Sequence, residues 1–258
     1  MRRLKLFFLV SILLVSFFAN AYDGVGHRII ADIAYRNLTA KAKKQCDKTL
    51  GKRGIIYAAT WADEVRSDKK YEYSYPWHYQ NLKDSMSISQ LEYLFKYPTS
   101  EGEHLFYALQ TLTHRLKANA NDAEALKFLV HFVADLHQPM HLGRLVDLGA
   151  NKIKVQWFGK NTNLHAVWDG LITESQRMSY SEYSNYLLDY FAPSKAIFKK
   201  ETLLDAIYKT YLLRNEVYNF GVPDTNNYGY IYLFAKKNDD RLYSAGIQLA
   251  KLLNEIYK

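Results

Sequence analysis

The chain has one cysteine, Cys46, among its 258 residues, so no intramolecular disulfide bond can form. No stretch rich in proline, glycine or serine divides the chain, and no segment is repeated. Beyond the N-terminus, no apolar run reaches the roughly 20 residues that a membrane-spanning helix needs. These absences exclude a disulfide scaffold and an adhesin built from repeats. Stability must therefore come from a hydrophobic core, together with any bound metal.

The N-terminus has the three parts of a secretory signal peptide. Basic residues open it, an almost unbroken apolar run covers residues 6–18, and Ala-Asn-Ala at 19–21 fits the rule for cleavage. A single membrane anchor is the alternative, but the apolar run is too short to span a bilayer. We predict a signal peptide over residues 1–21 and a secreted or periplasmic mature chain that starts at Tyr22.

Basic residues outnumber acidic ones by 34 to 26, which gives a formal net charge of +8. The predicted signal peptide holds three basic residues and no acidic one, so the mature chain carries +5. A positive charge suits a polyanionic partner such as nucleic acid. A generic basic surface would give the same charge, so the charge alone leaves the partner open.

Helical periodicity dominates the mature chain. Asn121 or Asp122 can cap the helix that begins at Ala123, and Pro139 should end or bend that helix near Gln138. The segments in which apolar residues recur at helical spacing are 25–37, 105–116, 123–136, 201–218 and 241–257.

Only one region has the alternation of a β-strand. It is Lys152–Phe158, and Gly159-Lys160-Asn161 after it has the residues of a tight turn. We therefore predict a mainly α fold, a single domain over residues 22–258 with one small β-hairpin.

Histidine and aspartate recur at a fixed spacing in the centre of the chain. His131 and Asp135 lie four residues apart, on one face of a predicted helix, and His165 and Asp169 repeat that spacing. One such pair is explained by an exposed helical contact. Two pairs among apolar neighbours favour a site for several metal ions such as Zn²⁺, with hydrogen-bonded core histidines as the alternative. Further candidate ligands are His27, His78 and His141.

The predicted new N-terminus lies close to one of these histidines. Cleavage before Tyr22 frees an α-amine with a pKa of roughly 7.7–8.0. The amine nitrogen and carbonyl oxygen of Tyr22 could chelate a metal beside His27. Alternatively, residues 24–26 (Gly-Val-Gly) simply form a flexible lead-in to the first helix.

Six motifs, in order along residues 22–169, make the sequence similar to a known family. The chain resembles the S1/P1 family of zinc-dependent single-strand nucleases, whose fold is shared with bacterial zinc phospholipase C. The C-terminal third adds only a helical pattern. The motifs are Gly26-His27, Trp61-Ala62-Asp63, Trp77-His78, His131-x-x-x-Asp135, His137-Gln-Pro-x-His141 and Asn163-Leu-His165-x-x-x-Asp169.

The resemblance implies three Zn²⁺ ions. Their implied ligands are Asp63, His78, His131 and Asp135 for the first, Tyr22, His27 and Asp135 for the second, and His141, His165 and Asp169 for the third. Asp135 would bridge two ions. His104, His114 and His137 match no ligand position. The chain departs from the family in two respects, since Tyr22 stands where the family usually has Trp, and the disulfides of fungal members are impossible.

The resemblance also implies the activity. We expect an exported, monomeric endonuclease that cuts single-stranded DNA and RNA to 5′-phosphate products and acts on 3′-nucleotides, without stable membrane association after signal cleavage. Asp63 and Asp135 would serve catalysis through zinc-activated water. Arg66 could contact phosphate, or be a solvated helix residue. Tyr79 could stack a base, or be a core aromatic, and Asn81 could contact a base edge.

Two other functions remain open at this point. The same zinc ligands could serve a phospholipase C-like lipid phosphodiesterase, although the Trp61-Ala62-Asp63 and Asn163-Leu-His165 motifs resemble the nucleases more closely. A non-catalytic, metal-stabilised protein that binds polyanions is the second alternative. Release of choline phosphate from lecithin would support the first, and bound zinc without turnover of any phosphoester would support the second.

Overall fold

The computed structural model describes residues 24–98, 104–222 and 226–258. Within these ranges the chain is mainly helical, with a single antiparallel pair of strands. The predicted signal peptide at 1–21 and the predicted ligand Tyr22 lie outside the described residues. In the described part, every helix is too short or too polar to cross a lipid bilayer.

In chain order the α-helices are α1 (Gly24–Asn37), α2 (Ala40–Leu50), α3 (Gly54–Tyr57), α4 (Trp61–Glu64), α5 (Ile88–Lys96), α6 (Leu105–Ala118), α7 (Ala123–Asp135), α8 (Leu164–Ala166), α9 (Ile172–Glu174), α10 (Tyr180–Tyr190), α11 (Lys195–Lys200), α12 (Leu203–Phe220) and α13 (Asn227–Ile256). The strands are β1 (Lys154–Trp157) and β2 (Lys160–Asn163). Short 3₁₀ segments cover Ala58–Thr60, Val65–Ser67, Lys69–His78, Pro139–Leu142 and Ala192–Ser194, and a π-helical turn covers Val167–Leu171.

The helices α1, α7 and α13 form the centre of the molecule. Helix α1 packs along α13, and the approach is close because a Cβ added at Gly246 would lie only 2.5 Å from the Ile33 side chain. From Leu126 to Asp135, nearly every side chain of α7 is buried. The central position of α7 means that its polar side chains must find partners inside the protein.

The ends of the predicted helices are confirmed in part. Asp122 caps α7, since its carboxylate accepts a hydrogen bond from the Ala125 amide at 2.9 Å. Helix α7 ends at Asp135, and Pro139 begins a separate 3₁₀ segment. The last helix starts at Asn227, well before the predicted residue 241. Residues 227–235 are mostly aromatic or aliphatic and residues 236–241 are mostly charged, so neither stretch shows the alternation of apolar and polar residues typical of an amphipathic helix.

The predicted hairpin exists, but its turn lies earlier than expected. Phe158 and Gly159 form the turn, both with positive φ angles, and Trp157 pairs with Lys160. Two positive φ angles match the twist of a tight hairpin. The expectation that Lys160 and Asn161 belong to the turn is therefore wrong, because both lie in β2.

Candidate metal centre

Helix α7 brings two predicted ligands together inside the core. His131 and Asp135 are fully buried, and His131 Nε2 lies 3.3 Å from Asp135 Oδ2. The other ring nitrogen, His131 Nδ1, donates to the Ala59 carbonyl at 2.8 Å. This bond fixes the ring so that Nε2 faces the carboxylate, which is how ligating histidines are held in metal sites.

Three further histidines approach the same carboxylate from other segments. His27, in the first turn of α1, places Nε2 3.3 Å from Asp135 Oδ1. His78, at the end of a 3₁₀ segment, places Nδ1 3.0 Å from Oδ2. His141, after the proline, places Nδ1 3.5 Å from Oδ1 and donates to the His78 carbonyl. Asp135 thus lies at the centre of four imidazoles.

Asp63 completes this side of the cluster. Its Oδ1 lies 3.8 Å from both His78 Nδ1 and His131 Nε2. The same atom is buried and has no hydrogen bond among the described residues. A buried carboxylate oxygen in this state fits a cation that joins it to the facing imidazoles.

A second part of the cluster lies around Asp169. The π-helical turn carries Asp169, whose Oδ2 lies 3.0 Å from His165 Nε2, while its Oδ1 lies 3.3 Å from His141 Nε2. Asp169 Oδ2 is also buried without a hydrogen bond within the described ranges. His165 Nδ1 donates to the Gly149 carbonyl at 2.6 Å.

The structure therefore brings all the described predicted ligands into one region. Three groups have ligand atoms within 4.8 Å of one another, and these groups are His27, Asp63 and His131; His78, His131 and Asp135; and His141, His165 and Asp169. His27 thus lies near Asp63 as well as near Asp135, with which the resemblance pairs it. The geometry suits metal binding, and ligation itself stays a prediction.

Electrostatic pairing within the cluster shifts its pKa values. Burial would lower the pKa of His131, but the carboxylates of Asp135 and Asp63 raise it to about 9. Burial would raise the pKa of Asp135, yet the facing His131 and His141 hold it well below its usual range. The pKa of Asp169 is also lowered, because His165 and His141 outweigh its burial. Without metal, the raised pKa values of His131 and His141 favour their protonated forms, which offset the ionised carboxylates.

The three predicted substrate-contact residues line a cavity of about 280 Å³ beside the cluster. Arg66, Tyr79 and Asn81 form part of its wall, together with His141 and His165. The Tyr79 side chain is 38% exposed, so it is not a core aromatic. Contact of these residues with a substrate stays a prediction.

Two other histidines contribute differently. His137 is buried, its Nδ1 donates to the Val133 carbonyl, and burial together with Arg241 lowers its pKa to about 3. It is therefore neutral and supports the end of α7. The His104 ring lies 5.3 Å from the Tyr79 ring and so helps to set its orientation. Neither belongs to the three groups of candidate ligands.

Two residues that contact the site, Gln138 and Gly149, were not foreseen from the sequence. The Gln138 side-chain amide donates to Asp169 Oδ1 and its carbonyl accepts from the Met140 amide. The position of Gln138 inside the motif between His137 and His141 was a signal for this role. No sequence signal identifies the Gly149 carbonyl, because every residue has a backbone carbonyl.

The fold and the cluster define a mainly helical protein with buried groups of histidine and aspartate that suit several metal ions. A family model described as S1/P1 Nuclease matches residues 22–258. The chain therefore belongs to the S1/P1 nuclease family, a metal-dependent family, as its motifs predicted.

Curated relatives agree with this family. Endonuclease 2 of Arabidopsis thaliana is 34% identical over 163 residues, which cover 58% of this chain and 55% of that protein. Nuclease S1 of Aspergillus oryzae is 30% identical over 197 residues, which cover 72% of this chain and 68% of that protein. Nuclease P1 of Penicillium citrinum is 30% identical over 156 residues, 57% of each chain. The matches to Endonuclease 2 and Nuclease P1 thus span little more than half of those relatives.

Proposed function

We propose that this protein is an exported endonuclease that hydrolyses phosphodiester bonds of single-stranded DNA and RNA, leaves 5′-phosphate ends and also acts on 3′-nucleotides. The observation that carries the proposal is the convergence of four histidines on the buried Asp135, beside an open cavity, in a member of a nuclease family. The names of the relatives, endonuclease and nuclease, support the reaction class.

We propose that the cluster holds three Zn²⁺ ions. The first would be held by Asp63, His78, His131 and Asp135, the second by Tyr22, His27 and Asp135, and the third by His141, His165 and Asp169. Imidazole nitrogens and carboxylate oxygens are the ligands that zinc takes in catalytic sites, so the donor set fits. When bound, such ions activate water for attack and neutralise charge on a phosphoryl group.

The protein's own side chains have separate tasks in this proposal. Asp135 stays ionised at neutral pH because of its lowered pKa, so it can serve as a bridging ligand. Arg66 lies 3.6 Å from Asp63 at the cavity wall, where its guanidinium would hold a phosphate oxygen. Tyr79 would stack on one base and Asn81 would contact the edge of that base. A base held there must leave its neighbours, which disfavours a duplex.

The remaining expectations complete the proposal. Residues 1–21 would be removed as a signal peptide, and residues 22–258 would form a single nuclease domain. The mature protein would be secreted or periplasmic, monomeric and without stable membrane association. A basic mature chain suits a polyanionic substrate.

The decisive experiment uses the mature protein beginning at Tyr22, with a single-stranded oligonucleotide and a matched duplex as substrates. We expect cleavage of the single strand that a chelator abolishes and zinc restores, and that Asp135→Ala removes. Equal rates on the duplex would contradict the strand preference. Absence of cleavage by zinc-loaded protein, with release of choline phosphate from lecithin, would overturn the nuclease assignment.

A further inference from the structure

A strained turn lies next to the third group of candidate ligands. Leu148, Gly149 and Ala150 follow one another with φ angles of 56°, 62° and 66°. Residues other than glycine rarely adopt this left-handed conformation, so the surrounding structure must hold the turn in place. Glycine is needed at the middle position, because a Cβ at Gly149 would lie 2.5 Å from the Met140 carbonyl oxygen.

This turn orients one imidazole of the cluster. Its unusual backbone directs the Gly149 carbonyl toward His165, whose Nδ1 donates to it at 2.6 Å. The opposite nitrogen, His165 Nε2, then faces Asp169 at 3.0 Å. In metal sites the hydrogen bond on one ring nitrogen fixes which nitrogen is free to bind. The shape of the turn therefore sets the direction of the His165 ring and keeps a proton on its Nδ1.

One tyrosine from the C-terminal third holds the turn. Asp147 Oδ1 accepts a hydrogen bond from the Ala150 amide at 2.8 Å and another from the Tyr218 hydroxyl at 2.9 Å. The Tyr218 oxygen also accepts from the Arg144 amide at 3.2 Å, and the Arg144 guanidinium lies 4.0 Å from the centre of the Tyr218 ring. Tyr218 thus contacts Arg144 and Asp147, both before Leu148, and is connected to Ala150 through the Asp147 carboxylate.

We propose that Tyr218 is a positioning residue for the candidate metal site at His165. Its hydroxyl fixes the Asp147 carboxylate, Asp147 fixes the left-handed turn, and the Gly149 carbonyl of that turn orients the imidazole. Helix α12 therefore contributes to the site, although it carries none of the six motifs. The role of Tyr218 in orienting His165 does not rest on the proposed function. Only the consequence for metal binding rests on it.

The molecule contains a matched control for this proposal. The Tyr35 hydroxyl contacts the Asp47 carboxylate at 3.0 and 3.1 Å, and Asp47 Oδ1 accepts from the Arg53 amide at 3.0 Å. Arg53 also has a left-handed φ angle of 60°. This second set consists of a tyrosine in α1, an aspartate in α2 and the left-handed residue before α3. It includes none of the candidate ligands. Tyr35→Phe therefore removes the same hydroxyl without reaching the cluster.

The first test reads the imidazole itself in the metal-free mature protein. Nitrogen NMR of His165 should show a proton on Nδ1 that exchanges slowly with solvent in the wild-type chain and in Tyr35→Phe, and faster exchange of that proton in Tyr218→Phe. Equally slow exchange in folded Tyr218→Phe would overturn the proposal. If Tyr218→Phe does not fold, Asp147→Asn weakens the same connection while keeping an acceptor for the Ala150 amide, and the same readout applies.

The second test measures zinc. In Tyr218→Phe we expect the weakest of the zinc dissociation constants to rise about 10-fold, the lower end of the range for residues that support metal ligands. Tyr35→Phe should bind zinc as the wild type does. Equal zinc affinity in both variants would overturn the consequence for metal binding. A wild-type protein that binds no zinc would instead contradict the proposed function, while the exchange of the His165 Nδ1 proton would still decide the role of Tyr218.

Discussion

Asp135 and Asp32 are both buried aspartates, but their partners differ in chemistry. Asp32, in α1, contacts the guanidinium groups of Arg36 at 2.8 Å and Arg53 at 3.1 Å, and accepts from the Ser184 hydroxyl at 2.5 Å. Asp135 is surrounded by imidazoles instead. Both clusters include side chains of α1, since His27 lies five residues before Asp32 in the same helix.

The difference separates a structural carboxylate from a candidate functional one. Guanidinium stays protonated at every pH at which the protein is folded, so the contacts of Asp32 are permanent. Imidazole gives up its proton near neutral pH and can then bind a metal. Burial alone does not distinguish the two aspartates, and the chemistry of their partners does. The Asp32 contacts also tie α1 to its neighbours.

The largest expected effect is the loss of one central carboxylate. Asp135→Asn keeps the shape of the side chain but removes the charge that faces four imidazoles. We expect nuclease activity to fall by more than about 100-fold, beyond the usual loss for residues that only support a ligand. Steady-state kinetics at saturating zinc would measure it. Near wild-type activity in a folded Asp135→Asn protein would show that Asp135 is no essential ligand.

The apparent affinity of the Asp135 cluster for metal should depend on pH. His131 has a folded pKa of about 9, above its ordinary value, so it keeps its proton in the metal-free protein at pH 7. A metal must displace that proton. Its apparent affinity should rise about 10-fold for each pH unit up to about pH 9 and level off above.

The same raised pKa makes the metal-free protein more stable at lower pH. The stabilising contribution is fully present below the ordinary pKa of His131 and is lost as pH rises through about 9.

The protons that metal binding displaces can be counted. Calorimetric titrations of the metal-free protein with zinc, in buffers with different heats of ionisation, would count them. Metal binding without proton release at pH 7 would contradict the assigned protonation of His131.

Replacement of the Asp32 carboxylate should lower the stability of the fold and leave nuclease activity unchanged. In Asp32→Asn, two guanidinium groups lose their counter-ion, but both side chains are 39% exposed and remain partly hydrated. We expect the free energy of unfolding to fall by about 1–3 kcal/mol. Urea denaturation would measure the change, with activity assayed well below the midpoint. A catalytic defect as large as that of Asp135→Asn would remove the distinction between the two aspartates.

The smallest expected effect lies at the mouth of the cavity. Tyr79→Ala removes a half-exposed ring. The binding free energy lost should therefore be near the lower end of the range for base stacking, about 1 kcal/mol, which corresponds to a roughly fivefold higher KM. Tyr93 on α5 is a suitable control, because its ring is 68% exposed and does not line the cavity. Equal changes in KM for Tyr79→Ala and Tyr93→Ala would argue against a stacking role.

The grouping of the candidate ligands could be predicted in part, because some of their signals are local. A spacing of four places His131 and Asp135 on one helical face whatever the rest of the chain does. The hairpin turn was misplaced because Gly159-Lys160-Asn161 has favourable turn chemistry, while the structure places Phe158 in the left-handed region instead.

The supporting contacts could not be predicted, since they join distant parts of the chain. Ser184 contacts Asp32 across 152 positions, and Tyr218 contacts Asp147 across 71. A backbone carbonyl such as that of Gly149 has no residue type to reveal it. Motifs therefore indicated which residues form the candidate metal site, while the residues that orient them required the fold.

The buried state of Cys46 has a practical consequence. Burial, together with the neighbouring Asp47, raises the pKa of this thiol to about 12. Reagents that label cysteine act on the thiolate, so Cys46 should stay unmodified at neutral pH. A cysteine introduced at Leu145, which is 68% exposed at the rim of the cavity, would then be the single reactive thiol. One fluorophore could be attached there to follow oligonucleotide binding in real time, with the native sequence otherwise unchanged.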